Sequence, residues 1–271
     1  MTPLTWLITG CSSGIGEAFV HEILSRGDRV IATARNASAR LKSLETAGAK
    51  ILDLDVTASE DELKEKIEEA KSESTVDGFR SHEQWLKMLN TNLLDTINLT
   101  RAILPHFRKK KSGKLVFIGS ENGWRAGAGN AAYSVTTFAL EGFVEVLQKE
   151  TSHLGIQSII FQPGEFRTTV LSSSSKSSKL SEDPDYGELA KRVQAGLKAS
   201  DGKQKGDLKK GVRVMVDVVK GEGVAEGRGM PRRLMLGKEC LETVRGKCRE
   251  TLEICDKWEG VIGSVDFDDG E

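Results

Sequence analysis

The stretch that most narrows the folds open to this chain is TGCSSGIG, positions 9 to 16. It follows the β-rich run LTWLITG (4 to 10) and opens a segment in which Ile15, Ala18, Phe19 and Ile23 recur at helical spacing before Gly27. A glycine-rich turn between a strand and a helix has a specific physical use. Gly10 can make the tight turn, Gly14 lets backbone approach a pyrophosphate, and Gly16 lets helix pack on strand. Ser12, Ser13 and Ile15 sit where the free N–H groups and positive dipole of a helix start would meet an anion. No Lys-Ser/Thr pair follows the glycines, which disfavours a triphosphate loop and leaves dinucleotide binding.

Downstream, short β-rich runs alternate with amphipathic helices, the pattern of a parallel sheet covered on both faces. Strands are expected at RVIATA (29 to 34), KILDLDV (50 to 56), KLVFIGS (114 to 120) and IQSIIFQPG (156 to 164), with a helix from 131 to 150. SEDE (59 to 62) offers a capping box for a helix to about position 70, and SHEQ (81 to 84) offers another. The expectation is one α/β domain with a doubly wound, mostly parallel, Rossmann-like sheet. Within it, 1–168 would form a cofactor-binding core, 169–210 a mobile substrate loop rich in serine, lysine and glycine, and 211–271 a set of C-terminal helices.

Composition removes several classes. A formal net charge of −1 gives no field to gather nucleic acid, and the run Lys109 to Lys111 reads as a solvated helix end. No apolar run reaches the roughly 18 residues of a spanning helix, and MTPLTWLITG lacks the form of a signal peptide, so a cytoplasmic location is expected. The four histidines are scattered and the four cysteines form no CxxC pair, so no metal site is expected. Cys240, Cys248 and Cys255 fall on one apolar helical stripe with Leu241, Val244, Leu252 and Trp258, which reads as core packing.

Cofactor choice turns on the end of the second strand. A site for an unphosphorylated ribose offers an acid about 20 residues past the glycines; here TARN puts Arg35 in that place. A guanidinium suits a 2′-phosphate through charge-assisted fork bonds, so NADP is favoured over NAD.

Taken in order, TGCSSGIG, TARN, LDVT, NTN, IGS, AAYS and QPGEFRT resemble the short-chain dehydrogenase/reductase family, most closely its fungal members, over nearly the whole chain. The resemblance implies an oxidoreductase that moves a hydride between a nicotinamide cofactor and a carbonyl or secondary alcohol, here of a small apolar or secondary-metabolite substrate. It also implies a homodimer or homotetramer built through the helices that follow Asn92 and Ser120. By the same resemblance Tyr133 is the proton-exchanging residue, Ser120 the polariser of the substrate oxygen and Asn92 the water-holding asparagine. Asp55 with Val56 would contact the adenine, and Phe166 and Thr168 would lie against the nicotinamide end, where Thr168 bonds the carboxamide.

Two departures follow. The family's lysine, four residues after the tyrosine, is replaced by Thr137, which can hydrogen-bond a ribose hydroxyl but brings no charge to favour a phenolate. Neither Lys149 nor Arg125 has a spacing that replaces it. The family also places a buried fourth strand ending in Asn-Asn-Ala-Gly between the positions of Asp55 and Asn92; that motif is absent, and the 37 positions present fall short by about a dozen residues. STVDGF, within SESTVDGF (72 to 79), has too few apolar residues for a strand buried on both faces, and a short irregular strand at 74 to 79 or a local gap is expected. Two classes therefore stand: an NADP-dependent reductase, and a relative without redox turnover, whether a dinucleotide-binding or interaction protein or the product of an aberrant gene.

Overall fold

The computed structural model describes residues 3–53, 82–168 and 184–267. Three strands, β1 (Thr5–Ile8), β2 (Arg29–Ala34) and β3 (Lys50–Asp53), pair in parallel in the order β1-β2-β3. Three more, β4 (Gly113–Ile118), β5 (Ile156–Pro163) and β6 (Arg233–Leu236), pair in parallel in the order β4-β5-β6. Parallel neighbours need crossovers, and helices supply them. Helix α1 (Gly14–Ser25) links β1 to β2, and the short α2 (Ala37–Arg40) and α3 (Lys42–Thr46) link β2 to β3. Helix α4 (His82–Leu89) runs through a π turn (Asn90–Leu94) into α5 (Asp95–Lys110), and α6 (Ala131–Thr151) joins β4 to β5. Helices α7 (Pro184–Ser200) and α8 (Leu208–Lys220) precede β6, and α9 (Lys238–Ile262) follows it.

One core joins the two sets of strands. Phe19, Val20 and Ile23 of α1 pack with Val30 and Ala32 of β2, Ile159 and Phe161 of β5, and Val212, Met215 and Val216 of α8. A second cluster collects Leu140, Val144 and Leu147, spaced along one stripe of α6, against Phe117 and Ile160. At the rim of the first core Arg26 reaches Asp217 at 2.7 Å, Glu222 at 2.8 Å and Glu22 at 2.6 Å, so α1 is fastened to α8 by charge as well as by packing. Three carboxylates hold its guanidinium more firmly protonated than usual, against the opposing effect of burial.

The doubly wound α/β fold is as the alternating pattern implied. Among the described residues no ladder joins β1 to β4, and the two strands that should be innermost are exposed: Leu7 of β1 is 44% exposed and Ile118 of β4 is 37% exposed. By contrast, six of the eight residues of β5 from Ser158 to Pro163 are buried without interruption. The expected helix at 59 to 70 and the segment 72 to 79 lie outside the described residues.

Two other expectations need correction. The segment 169–210 is not loop throughout: residues 184–200 form α7, and the stretch before α8 is fastened by an Arg167 Nη2 to Gln204 carbonyl bond of 3.1 Å and a bridge between Phe166 and Gly206. A serine- and lysine-rich composition there concealed the helix-forming run ELAKRVQAGLKAS. The cysteine stripe of α9 is core at its first turns alone. Cys240 and Val244 are buried, whereas Cys248, Leu252, Cys255 and Trp258 are exposed, because β6 and the turn after β4 meet the start of α9 and the helix then runs past them.

Candidate active site

Both halves of the candidate site stand where parallel strands end, the position at which open α/β sheets bind their ligands. After β1, Gly10 and Gly14 adopt φ of 67° and 64°, the left-handed region that glycine enters without strain. Gly16 answers a different need. A Cβ on it would lie 2.5 Å from the Gly10 carbonyl oxygen, so any side chain would push the start of α1 off the turn. Ser13, extended, immediately precedes α1 and its hydroxyl caps no N–H, which leaves the helix-start donors open toward an anion. Ser12 is half-buried beside it, and Ile15 packs against the core and orients the first turn.

Cys11 was not among the expected site residues, yet it ties the loop down. Its backbone N–H donates to the Thr33 carbonyl at 3.1 Å and its thiol donates to the Ile8 carbonyl at 3.1 Å. Burial pushes the thiol up to about 11, against a smaller lowering from the Thr33 backbone contact, so Cys11 is a packing group rather than a nucleophile. The tie holds the glycine loop next to the end of β2, from which Arg35 emerges exposed, followed by Asn36 at φ 55°. Arg35 forms no ion pair among the described residues. Asp55 and Val56 lie outside them.

After β4 the chain passes Gly119, whose N–H donates to the Phe161 carbonyl at 2.8 Å; a Cβ there would come within 2.9 Å of Ile160 Cδ1. Ser120 follows, buried, its Oγ accepting from the N–H of Asn122 at 3.2 Å and from Asn122 Nδ2 at 3.3 Å. The short 3₁₀ turn it caps, Glu121–Gly123, packs on α6, where a Cβ at Gly123 would lie 3.1 Å from Glu141 Cγ and 3.5 Å from the Thr137 carbonyl oxygen. Ser120 is thereby positioned against the helix that carries Tyr133.

Tyr133 is the third residue of α6 and is half-buried. Thr137 lies one turn on and is buried, its hydroxyl donating back to the Ser134 carbonyl at 2.9 Å. Thr136, also missed from sequence, donates to the Tyr133 carbonyl at 2.8 Å and accepts from Asn92 Nδ2 at 3.2 Å. Asn92 sits within the π turn between α4 and α5 and contacts Met88 Sδ at 3.1 Å as well. A π turn adds a residue to the helical ladder and turns a side chain out of register, the usual reason for one near a functional centre. Asn92, Thr136 and Tyr133 are thus linked, and Ser120 is joined to the same helix one turn later.

The cation substitutes are committed elsewhere. Arg125 Nη2 meets Glu121 Oε1 at 2.6 Å, and Lys149 Nζ meets Glu145 Oε1 at 3.0 Å. Phe166 packs under α8, where Cβ atoms on Gly206 and Gly211 would collide with its ring, and Thr168 ends the described part of that strand exit. Behind the site, Glu141 is buried with neither carboxylate oxygen in hydrogen-bond geometry; burial pushes it above the usual carboxylate range, while Gln162 and Arg233 draw it partly back. The glycines at 119 and 123 in IGSENG were the available signal for this crowding, since both have side-chain atoms pressed against them. Among the described residues no group of three His, Cys, Asp or Glu side chains is placed to hold a metal, and no helix is long and apolar enough to cross a membrane.

Comparison with known proteins bears on this arrangement. The family profile described as short chain dehydrogenase matches residues 5–179. An oxidoreductase of Botryotinia fuckeliana is 28% identical over 271 residues, which cover 93% of this chain and 96% of that protein. The 3-oxoacyl-(acyl-carrier-protein) reductase of Escherichia coli is 31% identical over 206 residues, covering 70% of this chain and 82% of that protein. Among solved structures, a short-chain dehydrogenase from Streptomyces avermitilis superposes with a TM-score of 0.78 at 27% identity, covering 98% of this chain and 99% of that one. Two further structures share the fold at lower identity: one from Burkholderia phymatum in complex with NAD (TM-score 0.67, 18% identity, covering 90% and 92%) and one from Burkholderia cenocepacia in complex with NADP (TM-score 0.65, 16% identity, covering 94% and 97%).

Proposed function

The chain belongs to the short chain dehydrogenase family of oxidoreductases, and from that premise we propose that it reduces a carbonyl, or oxidises the corresponding secondary alcohol, with NADP(H). The observation that carries the reading is the glycine cradle: two left-handed glycines and a third with no room for a Cβ, at an uncapped helix start beside a parallel strand end. That cradle fits the pyrophosphate of a nicotinamide dinucleotide. When bound, such a cofactor supplies the hydride. Gly10, Gly14, Gly16, Ser12 and Ser13 would hold the phosphates, Ile15 would pack the helix start, and Arg35 would fork onto a 2′-phosphate. Asp55 and Val56 are proposed for the adenine, Phe166 and Thr168 for the nicotinamide end.

Tyr133 is proposed to give its hydroxyl proton to the substrate oxygen in reduction and to take it back in oxidation. Ser120 donates a hydrogen bond to that oxygen as charge grows on it, and burial at the mouth of β4 makes the bond stronger than it would be in water. Asn92 is proposed to hold the water that reloads the tyrosine, and Thr137 stands where a cation would assist. A small substrate is proposed, apolar or of secondary-metabolite type, as is a cytoplasmic location. The test is to titrate the purified chain with NADPH and NADH and follow oxidation of the bound reduced cofactor with a panel of ketones and aldehydes. Turnover that depends on Tyr133 supports the reading; no dinucleotide binding overturns it.

A second reading is favoured by one observation, the burial of Thr137 with its hydroxyl turned back to the Ser134 carbonyl. A chain so altered retains the cradle and loses the charge, and would bind a dinucleotide without turning it over. Binding without oxidation in the same titration selects it.

A further inference from the structure

Among the described residues α9 is the longest helix, and its buried residues lie at one end. Cys240 and Val244 are buried, but from Lys247 through Phe267 every residue is exposed, including Leu252 at 62% and Trp258 at 50%. An isolated apolar stripe of this length has no reason to stay helical in water unless something covers it.

The stripe has a seven-residue repeat. With Cys248 and Cys255 at the first seam position, Thr251 and Trp258 fall at the second, Leu252 and Ile254 flank them, and Gly246 and Gly260 fall on the outer side. Charge is divided along the same helix. Arg245 and Lys247 flank the seam in its first half and Glu259 flanks it in its second; the other charged residues between Glu239 and Lys257 fall at outer positions. The basic residues nearest the anchor have only exposed partners within the helix, Arg245 with Glu242 at 3.1 Å and Lys247 with Glu250 at 3.2 Å, which are weak and easily exchanged.

We propose that the free part of α9 pairs with α9 of a second copy of this chain, antiparallel, about a two-fold axis near Glu253. A repeat of this kind is covered by a helix of the same kind, and a two-fold axis satisfies both copies at once. Antiparallel pairing sets Cys248 of each copy against Trp258 of the other and Thr251 against Cys255, with Leu252 meeting Leu252 and Ile254 meeting Ile254 on the flanks. It also brings Arg245 of each copy beside Glu259 of the other, twice by symmetry, whereas a parallel pair would lay basic half on basic half. Polar groups of opposite sign then fix orientation, and the apolar seam supplies affinity. This surface is separate from α5 and α6.

Sedimentation equilibrium of the full chain tests the pairing. A dimer is expected, with Arg245→Glu or Glu259→Arg alone raising the dissociation constant by about tenfold or more, and the double exchange Arg245→Glu/Glu259→Arg restoring it. Circular dichroism and dinucleotide affinity of each variant should match the parent, since neither residue is near the cradle. A monomer at tens of micromolar (the common range for weak self-association), a dimer indifferent to both charge reversals, or a double exchange that fails to rescue each overturns the proposal. So does a monomer that co-sediments with phosphatidylcholine vesicles, because the stripe would then be lying on lipid.

Discussion

Asn92 donates through Nδ2 to Thr136 Oγ1 at 3.2 Å, and Thr136 in turn donates to the carbonyl of Tyr133 at 2.8 Å. The π turn is thereby bonded to the helix that presents the tyrosine. Replacing Thr136 with valine keeps the shape, removes both bonds and leaves the Asn92 amide on its weaker sulfur contact with Met88. Thr136→Val is expected to cost about 1 to 3 kcal/mol of stability by thermal or urea melting, with dinucleotide affinity unchanged.

Arg35 stands exposed at the exit of β2 with no ion pair among the described residues, and it is the residue proposed to meet a 2′-phosphate. The chain should bind NADPH more tightly than NADH, and Arg35→Ala should erase the difference, a change of about tenfold or more for one charge-assisted bond. Isothermal titration of both cofactors reads it directly. Equal affinities in the parent chain would remove Arg35 from the role.

Thr137 faces the same way as Tyr133 and is buried one turn away. Thr137→Lys is expected to raise turnover about tenfold or more and draw the pH optimum toward neutrality, because a nearby ammonium favours a phenolate. Tyr133→Phe should abolish turnover while leaving NADPH binding intact. Steady-state rates across pH separate the two, and undiminished activity in Tyr133→Phe would reject the proton-exchange assignment.

Glu141 should make stability fall as the solution is made less acidic. Burial above all holds its carboxyl above the ordinary range, Glu145 adds to this, and Gln162 and Arg233 only partly compensate. The folded chain therefore holds that proton more tightly than the unfolded chain does. Its contribution is fully present below an unfolded value of about 4.3 and is lost as pH rises through the folded value. Glu141→Gln should raise the melting temperature at pH 7, by an amount equivalent to about 1 to 3 kcal/mol, and the advantage should vanish near pH 4. An advantage equal at both pH values would show that the cause is packing.

The exposure of Leu7 on β1 and Ile118 on β4 leads to an insertion experiment. Placing a strand ending in Asn-Asn-Ala-Gly between Asp55 and Asn92 should raise the melting temperature and the NADPH affinity together, since that strand would pair with β1 and border the cradle. If the unaltered chain already melts cooperatively at an ordinary temperature, roughly 45 to 65 °C, and binds NADPH at micromolar concentration, the shortened stretch does not disable it.

Much of this was legible in the sequence for definite reasons. Gly10, Gly14 and Gly16 announced themselves because only glycine meets a left-handed backbone or a 2.5 Å approach. Ser120 and Tyr133 were proposed from order along the chain, and the structure brings the elements bearing them together. The links around the strand ends were hidden: Thr136 bonds Asn92 and the Tyr133 carbonyl, and Cys11 bonds the Thr33 and Ile8 carbonyls, pairings that no spacing encodes. The stripe of α9 shows the limit of periodicity most clearly. Cys240 and Trp258 share one apolar face, yet one is buried and the other open, because a repeat tells which side of a helix is apolar and nothing about where its neighbours stop.

The side of β1 away from β2 bears on the life of the chain rather than on its chemistry. Among the described residues no strand pairs with the side of β1 away from β2, and a strand so placed, with Leu7 turned to water, offers other polypeptides a template for hydrogen bonding. Each newly made copy then faces a race between closing its own core and joining a neighbour, and crowding during synthesis sharpens that race. Chaperone supply and rate of manufacture would then weigh on the amount of folded chain in a cell.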